Sequence, residues 1–332
     1  MINILSKKDF QSDNEVRWCP GCGDYAILAA VQKTLAEINL DRNNTVFVSG
    51  IGCAARFPYY MNTYGLHTIH GRAPTIASGV KLANPELKVF LVTGDGDALS
   101  IGATHLLHLF RRNIDIKVLL FNNQVYGLTK GQYSPTSTQG HVGKSTPFGS
   151  LEEPINPVAF ALSAGASFVA RSLDNDAQHL SYVLKAAMAH RGTAFIEILQ
   201  SCVVYNDNAF DYLKEKSARE KNIILLRDQE ALLFNNGSQG IALDPQSLSP
   251  IIVDAHAHKA QILIHDPQVP GLKAQILSRL TRPDFPTPIG IFSALERPTY
   301  ESQKSAQDHE IKSKAKSTDL RALLHGSNTW KV

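Results

Sequence analysis

Two short polar motifs carry oxygen atoms of the kind that bind a divalent cation. Gly94-Asp95-Gly96-Asp97 and Asn122-Asn123 are separated by 25 residues, counted between Gly96 and Asn122. Such an interval holds one helix and the return strand of a β-α-β unit, so both motifs would lie at nearby strand ends. Carboxylate, amide and carbonyl oxygens suit Mg²⁺, which completes its octahedron with phosphate oxygens. A GDG sequence alone is more often only a turn, but its spacing from the paired asparagines favours a metal and phosphate site.

The four cysteines of the 332-residue chain occupy positions that favour a sulfur-ligated site. Cys19 and Cys22 form a C-x-x-C loop before a predicted helix, and Cys53 and Cys202 follow after 30 and 148 further residues. A thioredoxin-like redox pair, half a zinc site and half an iron–sulfur site all fit this loop. A redox pair would not need Cys53 and Cys202, and a zinc site usually brings a second tight C-x-x-C pair. Buried thiols are the alternative for Cys53 and Cys202 individually.

The elements that position these residues alternate between apolar strands and helices. Strands are predicted at 45–49, 88–93, 116–121, 167–170 and 194–199, and helices at 25–38, 74–83, 101–112, 157–164 and 176–190. This alternation of apolar strands with helices predicts an α/β fold, a parallel sheet with helices on both faces. Cys53, Asp95, Asn123 and Cys202 each follow a strand end, and open α/β sheets bind ligands at that edge. We therefore expect one combined site there.

The remaining segments are less regular. Residues 126–156 are rich in Gly, Ser, Thr and Pro and are expected to form a long functional loop. Asp24 is expected to cap the first helix, and short strands are expected at 251–254 and 261–265. We divide the chain into a cofactor-binding domain, residues 1–210, and a C-terminal extension with a polar, Lys-rich tail, residues 211–332, which we expect to make subunit contacts.

The composition is that of an ordinary globular protein and excludes several classes. With 43% hydrophobic residues, 19% charged residues and a net charge of +3, the chain is not collagen-like, coiled-coil or disordered, and nothing in its charge indicates nucleic-acid binding. No apolar run approaches the roughly 18 residues of a membrane span, and the N-terminal segment lacks the apolar core of a signal peptide. We expect a cytoplasmic protein with reduced thiols.

One segment imitates a dinucleotide-binding fingerprint. Gly50–Ala55 follows a predicted strand and fits the pattern G-x-G-x-x-A. That function requires an acidic residue about 20 positions later, and no Asp or Glu occurs between Asp41 and Glu86. Nicotinamide binding is therefore excluded here. Arg56 and His70 belong to the same acid-free stretch, whose positive charge favours anions such as a diphosphate or a dicarboxylate.

Five longer segments resemble a known family. WCPGCGDYAIL, GIGCAARFPYY, HGRAPTIASGVKLANP, GDGDALSIGATHLLHLFRRN and FNNQVYGLTKGQYSPTS stand in the order found in β subunits of the 2-oxoacid:ferredoxin oxidoreductases. The similarity covers residues 16–210, and the GDG and NN motifs resemble those of thiamine-diphosphate enzymes in general. The resemblance implies the thiamine diphosphate-binding fold with an irregular C-terminal extension.

The resemblance also implies a set of cofactors and the residues that bind them. Asp95, the side chain of Asn123 and the carbonyl of Val125 would hold Mg²⁺ on the diphosphate of thiamine diphosphate. One [4Fe–4S] cluster would be bound by Cys19, Cys22, Cys53 and Cys202. The further expected cofactor contacts are Ile51, Gly52, Cys53, Gly94, Gly96, Asp97, Asn123, Gly127, Leu128 and Thr129.

The reaction implied by the resemblance is the oxidative decarboxylation of a 2-oxoacid, with coenzyme A taking the acyl group and the cluster passing single electrons to ferredoxin. The segment 126–136 is similar to that of members that accept 2-oxoglutarate, which favours conversion to succinyl-CoA and CO₂, or the reverse. The expected catalytic residues are Arg56, His70 and Lys130, of which Lys130 would pair with the distal carboxylate. Pyruvate or another 2-oxoacid is the alternative substrate, and a solvated loop lysine is the alternative for Lys130.

The resemblance further implies a partner. Thiamine enzymes need a glutamate that activates the aminopyrimidine ring; in this family it comes from another subunit, and we find no motif for it here. We expect an inactive isolated chain, completed by an α subunit with a fused or separate γ domain in an α₂β₂ assembly. Two other classes stay open: a non-redox thiamine diphosphate carboligase, which would leave the cysteines idle, and a zinc-stabilised binding module, which would leave the metal–diphosphate motif idle.

Overall fold

A computed structural model of the chain describes residues 5–314, 319–326 and 329–330. The strands are β1 Thr45–Ser49, β2 Tyr64–His67, β3 Lys88–Gly94, β4 Ile116–Asn122, β5 Phe168–Leu173, β6 Ala194–Leu199, β7 Ile223–Leu226, β8 Leu233–Phe234, β9 Gln239–Leu243, β10 Pro250–Asp254 and β11 Thr287–Ala294. The α-helices are α1 Asp24–Glu37, α2 Ala73–Ala83, α3 Asp95–Leu99, α4 Ala103–Arg112, α5 Pro157–Ser163, α6 Ala177–Ala189, α7 Lys216–Asn222, α8 Lys273–Ser278, α9 Tyr300–Lys314 and α10 Leu320–His325.

The main sheet is mostly parallel. Within the described residues, eight strands form it in the order β2-β1-β3-β4-β6-β5-β11-β7. Each neighbouring pair runs parallel except β5 with β11. Strands β1, β4, β5 and β6 are buried along their whole length, because helices cover both faces. The predicted α/β class is therefore confirmed.

Alternate residues of the strands feed two separate hydrophobic cores. Val46 and Leu91 face the core that contains α2 and α4, whereas Phe47 and Phe90 face the core that contains α1 and α6. This follows from the two-residue period of a strand, which points successive side chains to opposite faces. The two cores clamp the sheet and fix the positions at which its strands end.

The C-terminal part contributes more regular structure than its sequence pattern indicates. Strand β11 pairs with β5 and β7, so residues beyond 210 complete the main sheet. A separate antiparallel sheet has the order β10-β9-β8. The strand expected at 251–254 is confirmed as β10. The strand expected at 261–265 is wrong, since that segment makes only a single bridge, between Ile264 and Ala231.

The start of the first helix also differs from the expectation. Gly23 is the N-cap, and Asp24 is the first helical residue, with a side chain that is fully buried. A Cβ at position 23 would overlap the carboxylate of Asp174. The tight approach of Asp174 therefore leaves room only for glycine at the cap, and Asp24 turns inward rather than capping the helix.

No helix in the described ranges is long and apolar enough to cross a bilayer.

Replacing Phe90 by alanine tests the packing that supports the site. The rings of Phe47 and Phe90 stack with centroids 4.5 Å apart, and both side chains are fully buried. We expect Phe90→Ala to lower the free energy of unfolding by about 3–5 kcal/mol, because it leaves a cavity between β1 and β3. Urea denaturation measures this. The matched control is Phe148→Ala, at a fully exposed phenylalanine, and equal effects of the two substitutions would contradict the assignment.

Candidate functional site

A cavity of about 460 Å³ lies at the carboxyl ends of β1, β3 and β4. Its walls come from the loops that follow these strands and from Gln200, just after β6. The residues predicted from the sequence that line it are Ile51, Gly52, Cys53, His70, Gly94, Asp95, Gly96, Asp97, Asn123, Val125, Gly127, Leu128 and Thr129. The structure thus brings together residues from separate segments of the chain.

Asp97 joins the loops that follow β1, β2 and β3. Its Oδ1 accepts hydrogen bonds from the backbone N–H groups of Ile51 (3.2 Å) and Gly71 (2.7 Å), and its Oδ2 accepts one from the Thr93 hydroxyl (2.7 Å). Nδ1 of His70 lies 2.6 Å from Oδ1. Since an ionised carboxylate can only accept, the proton of this pair belongs on Nδ1. In the neutral ring, Nε2 of His70 is then an acceptor at the cavity wall.

Asp95 is buried beneath two hydroxyl groups. Ser134 and Thr136 both donate to its Oδ2, at 2.5 and 2.6 Å. Burial raises the pKa of the Asp95 carboxyl, and the two hydroxyl groups oppose this rise. A cation at the carboxylate would oppose it further. The side chain therefore fits a metal ligand.

The Asn122-Asn123 motif forms two successive side-chain-stabilised turns. Oδ1 of Asn122 accepts from the N–H of Gln124 (3.2 Å), and Oδ1 of Asn123 accepts from the N–H of Val125 (3.1 Å). Gln124 has a φ of 56°, in the left-handed region. These bonds present Asn123 and Val125 at the wall that Asp95 also lines. Amide, carbonyl and carboxylate oxygens at one wall are the ligand types that Mg²⁺ prefers.

The cysteines lie on three loops that meet beside the cavity. A Cβ at Gly127 would stand 3.4 Å from Sγ of Cys202 and 3.8 Å from Sγ of Cys53, so both sulfurs pack against the same stretch of backbone. The C-x-x-C loop reaches this region because a Cβ at Gly21 would contact Val203. Cys19 is exposed, and the other three cysteines are partly buried. Cys53 belongs both to this group and to the cavity wall.

Two of the thiols, those of Cys22 and Cys53, have raised pKa values. Burial raises the pKa of Cys53 to about 11, and the nearby Asp24 and Cys202 add to the rise, whereas Arg56 opposes it. Burial and Asp24 likewise raise the pKa of Cys22. The pKa of Asp24 itself is raised to about 7 by burial and by Asp174. A metal cation bound to the sulfurs would favour the thiolates over the thiols.

Unpartnered polar atoms adjoin the cysteines. In the part of the chain that the structure describes, Oε1 of Gln200 and Oγ of Ser201 are buried and have no hydrogen-bond partner. Such atoms are rare in folded proteins, and ordered water or a bound group would satisfy them. Over the same residues, no three His, Cys, Asp or Glu side chains converge on one metal ion. A cluster in which several irons share four cysteines does not require that convergence.

Two predicted catalytic residues lie outside the cavity lining. Arg56 donates from Nη1 to the carbonyl of Arg17 (2.7 Å), which directs its guanidinium toward the N-terminal segment. Lys130 is exposed, has a φ of 78° and directly follows Thr129, which lines the cavity. Their roles as substrate contacts stay predictions.

Sequence reasoning missed several residues of the site. Ser134 and Thr136 bind Asp95 across 39 and 41 residues, and the Tyr126 hydroxyl donates to the carbonyl of Gly96 (2.9 Å). All three residues belong to the segment 126–156, whose composition predicted a functional loop. No spacing rule, however, says which hydroxyl groups of a long loop fold back onto a given carboxylate.

The comparisons with known proteins agree with this geometry. Residues 50–198 match the family model for the thiamine pyrophosphate enzyme, C-terminal TPP binding domain. The chain is 50% identical over 335 residues to the 2-oxoglutarate oxidoreductase subunit KorB of Mycobacterium tuberculosis, which covers 98% of this chain and 88% of that protein. It is 55% identical over 190 residues to the 2-oxoacid:ferredoxin oxidoreductase 1, subunit beta, of Aeropyrum pernix, covering 57% of this chain and 60% of the relative.

A solved structure is similar over almost the whole length. It is the 2-oxoglutarate:ferredoxin oxidoreductase from Magnetococcus marinus with 2-oxoglutarate, coenzyme A and succinyl-CoA bound. The TM-score is 0.78 at 31% identity, and the match covers 97% of this chain and 96% of that one.

Replacing Gly50 by alanine tests the role of Asp97 as a brace. A Cβ at Gly50 would overlap the carboxylate of Asp97, so the bonds that join the three loops must break or shift. We expect Gly50→Ala to lower the melting temperature by several degrees, as a loss of about 1–3 kcal/mol does. The control is Gly79→Ala in α2, where a Cβ meets open space and should stabilise by about 0.5–1 kcal/mol. Equal melting temperatures for the two variants would argue against the brace.

Proposed function

Because the chain belongs to the β subunits of the 2-oxoacid:ferredoxin oxidoreductases, we propose that its cavity holds thiamine diphosphate through Mg²⁺ and that its four cysteines hold one [4Fe–4S] cluster. The chain is the β subunit of an oxidoreductase that also needs an α subunit. Its reaction converts 2-oxoglutarate and coenzyme A to succinyl-CoA and CO₂, with the two electrons passed to ferredoxin, or runs in reverse.

One observation supports the combined site above all others. Cys53 lines the cavity that also contains Asp95 and Asn123, and its sulfur packs on Gly127 together with that of Cys202. The oxygen ligands and the sulfur ligands therefore share a wall. A non-redox carboligase would have no use for sulfur at this wall, and a zinc-stabilised binding module would have no use for the oxygen ligands.

In the proposed site the chain orients and anchors the cofactor. When bound, thiamine diphosphate supplies a nucleophilic carbon for the keto group and an electron sink for the loss of CO₂. Asp95, Asn123 and the carbonyl of Val125 hold the metal. Gly94 and Gly96 add no side chain to the wall, so the diphosphate can approach their backbone closely. At Gly96 a Cβ would also overlap the Tyr126 ring, so the packing there requires glycine.

His70 is the group of this chain best placed to hold a proton at the cavity. Asp97 fixes the proton on Nδ1 and orients the ring, so that Nε2 can accept a proton from a reacting group. The imidazolium that results would be stabilised by the carboxylate only 2.6 Å away. Arg56 and Lys130 would supply positive charge for the carboxylates of the substrate.

The electron path would run from the cavity to the surface through the cysteines. Cys53 lies at the cavity wall, whereas Cys19 is exposed. A cluster held by the four cysteines would thus touch both environments. With all four cysteines of the chain used, the next acceptor must be another protein, for which we propose ferredoxin.

The assembly would be an α₂β₂ heterotetramer in a reducing, cytoplasmic compartment. Two large apolar side chains of the cavity lining stand exposed, Ile51 (38%) and Leu128 (45%). Covering them with an α subunit would exclude water from the reacting atoms. The four free thiols agree with a reducing environment.

Chemical analysis of the complex purified without oxygen tests the cofactors. We expect about four iron and four sulfide per β chain, together with thiamine diphosphate and Mg²⁺. Cys53→Ser should bleach the brown absorbance and abolish ferredoxin reduction while thiamine diphosphate remains bound, because Asp95 and Asn123 are untouched. Zinc in place of iron, or a variant that keeps the absorbance and the electron transfer, would reject the cluster.

Steady-state kinetics test the proposed role of Lys130. Lys130→Ala should raise KM for 2-oxoglutarate about tenfold or more, since a hydrogen bond between charged groups contributes about 1.5–3 kcal/mol. KM for pyruvate should change little, because pyruvate has no distal carboxylate. The control is Lys144→Ala, at another exposed lysine of the same loop. Equal changes for the two substrates would remove Lys130 from substrate selection.

A further inference from the structure

A buried network of polar side chains extends from the Asn122-Asn123 motif into the sheet. Nδ2 of Asn122 donates to Oε1 of Glu197 (2.7 Å), and Nε of Arg171 donates to Oε2 of the same carboxylate (2.6 Å). Asn122, Glu197 and Arg171 are 2%, 1% and 7% exposed. They lie on β4, β6 and β5, which are neighbours in the sheet. This network therefore crosses three strands directly behind the proposed metal ligands.

None of these three residues lines the cofactor cavity. They line a separate cavity of about 190 Å³ on the far side of the motif. Direct contact with a cofactor or substrate in the main cavity is thus not their role. Any effect on the reaction must pass through Asn122, whose neighbour Asn123 reaches the cofactor cavity.

Stability alone does not account for an ion pair at this depth. Removing two charges from water costs several kcal/mol per ion, and well-packed apolar residues of similar volume are often equally stable. The charge of Glu197 does, however, fix the orientation of the Asn122 amide. A carboxylate only accepts hydrogen bonds, so Glu197 forces the amide NH₂ of Asn122 toward itself. Oδ1 of Asn122 must then point the other way.

The orientation of Oδ1 determines the shape of the metal-binding turn. Oδ1 accepts from the N–H of Gln124 (3.2 Å) and lies 3.0 Å from Oγ1 of Thr136, which itself donates to Asp95. An inverted amide would place NH₂ against the N–H of Gln124 and lose that bond. The left-handed Gln124 and the presentation of Asn123 would then lose their support.

We propose that Arg171 and Glu197 are a positioning pair which, through Asn122, sets the geometry of the magnesium-binding turn 123–125. This inference rests on the proposed metal site. Arg171 holds Glu197 in place through the 2.6 Å bond from Nε to Oε2, Glu197 fixes the amide of Asn122, and Asn122 holds the turn. The pair acts on metal affinity without touching the metal.

Calorimetric titration of Mg²⁺ into the complex stripped of Mg²⁺, with thiamine diphosphate present, tests the pair. Glu197→Gln keeps the size of the side chain but can donate as well as accept, so it no longer dictates the amide orientation. We expect Mg²⁺ affinity to fall about 10–100-fold, as for other groups that orient metal ligands. The matched control is Asp115→Asn, which breaks a 2.7 Å ion pair with Lys117 at the opposite edge of the sheet and should leave Mg²⁺ affinity unchanged.

Two further variants separate positioning from folding. Arg171→Gln combined with Glu197→Gln removes both charges and leaves no lone buried charge; it should fold normally and still bind Mg²⁺ weakly. Asn122→Ala should weaken binding in the wild-type background but add little to Glu197→Gln, because both act through one amide. Unchanged affinity in Glu197→Gln, or equal losses in Asp115→Asn, would overturn the positioning pair alone. A wild-type complex that binds no Mg²⁺ with thiamine diphosphate would overturn the proposed metal site as well.

Discussion

The parallel pairing of β1, β3, β4 and β6 determines where the chemically active side chains can lie. Parallel strands end at one edge, so the loops after all four strands must meet there. Cys53, Asp95, Asn123 and Cys202 are each within four residues of such a strand end. The two hydrophobic cores hold the strands in register, and the register in turn brings Asp95, Asn123 and Cys53 to one cavity. An antiparallel neighbour appears only at β11, away from this edge.

The same constraint explains which parts of the structure are readable from the sequence. A strand that is buried on both faces has a continuous apolar pattern, so β1 and β6 are predicted to the residue. Predicting where such a strand ends also predicts which residue follows it at the edge of the sheet. Asp95 and Asn123 could therefore be assigned to one site from the sequence. Contacts between residues far apart in the sequence leave no such pattern. The inward turn of Asp24 depends on Asp174, 150 residues later, and the hydroxyl groups on Asp95 come from a loop with no periodicity.

The acidic groups of the site differ in how their charge is compensated. Asp97 has His70 and backbone N–H groups, and Glu197 has Arg171 and Asn122, so both are satisfied within the chain. Asp95 accepts from the hydroxyl groups of Ser134 and Thr136 and is helped by nearby backbone N–H groups, but burial outweighs these bonds and raises its pKa. Asp24 faces thiols and another carboxyl group. Asp97 and Glu197 are thus each paired with a basic side chain, whereas burial raises the pKa of Asp95 and Asp24, the two carboxyl groups at the proposed oxygen and sulfur sites.

The difference between the paired and unpaired carboxyl groups implies that metal binding would stabilise the folded state. Where a charge is left uncompensated, a bound cation lowers the free energy of the folded state and has no matching site in the unfolded chain. The proposed magnesium-binding turn 123–125 and the cysteine loops are therefore the segments whose order should depend most on bound groups. The strands beneath them do not depend on it, since apolar packing holds them in place. A rigid sheet with ligand-dependent loops lets one edge accept a cofactor from solution while keeping the distances between its oxygen and sulfur sites fixed.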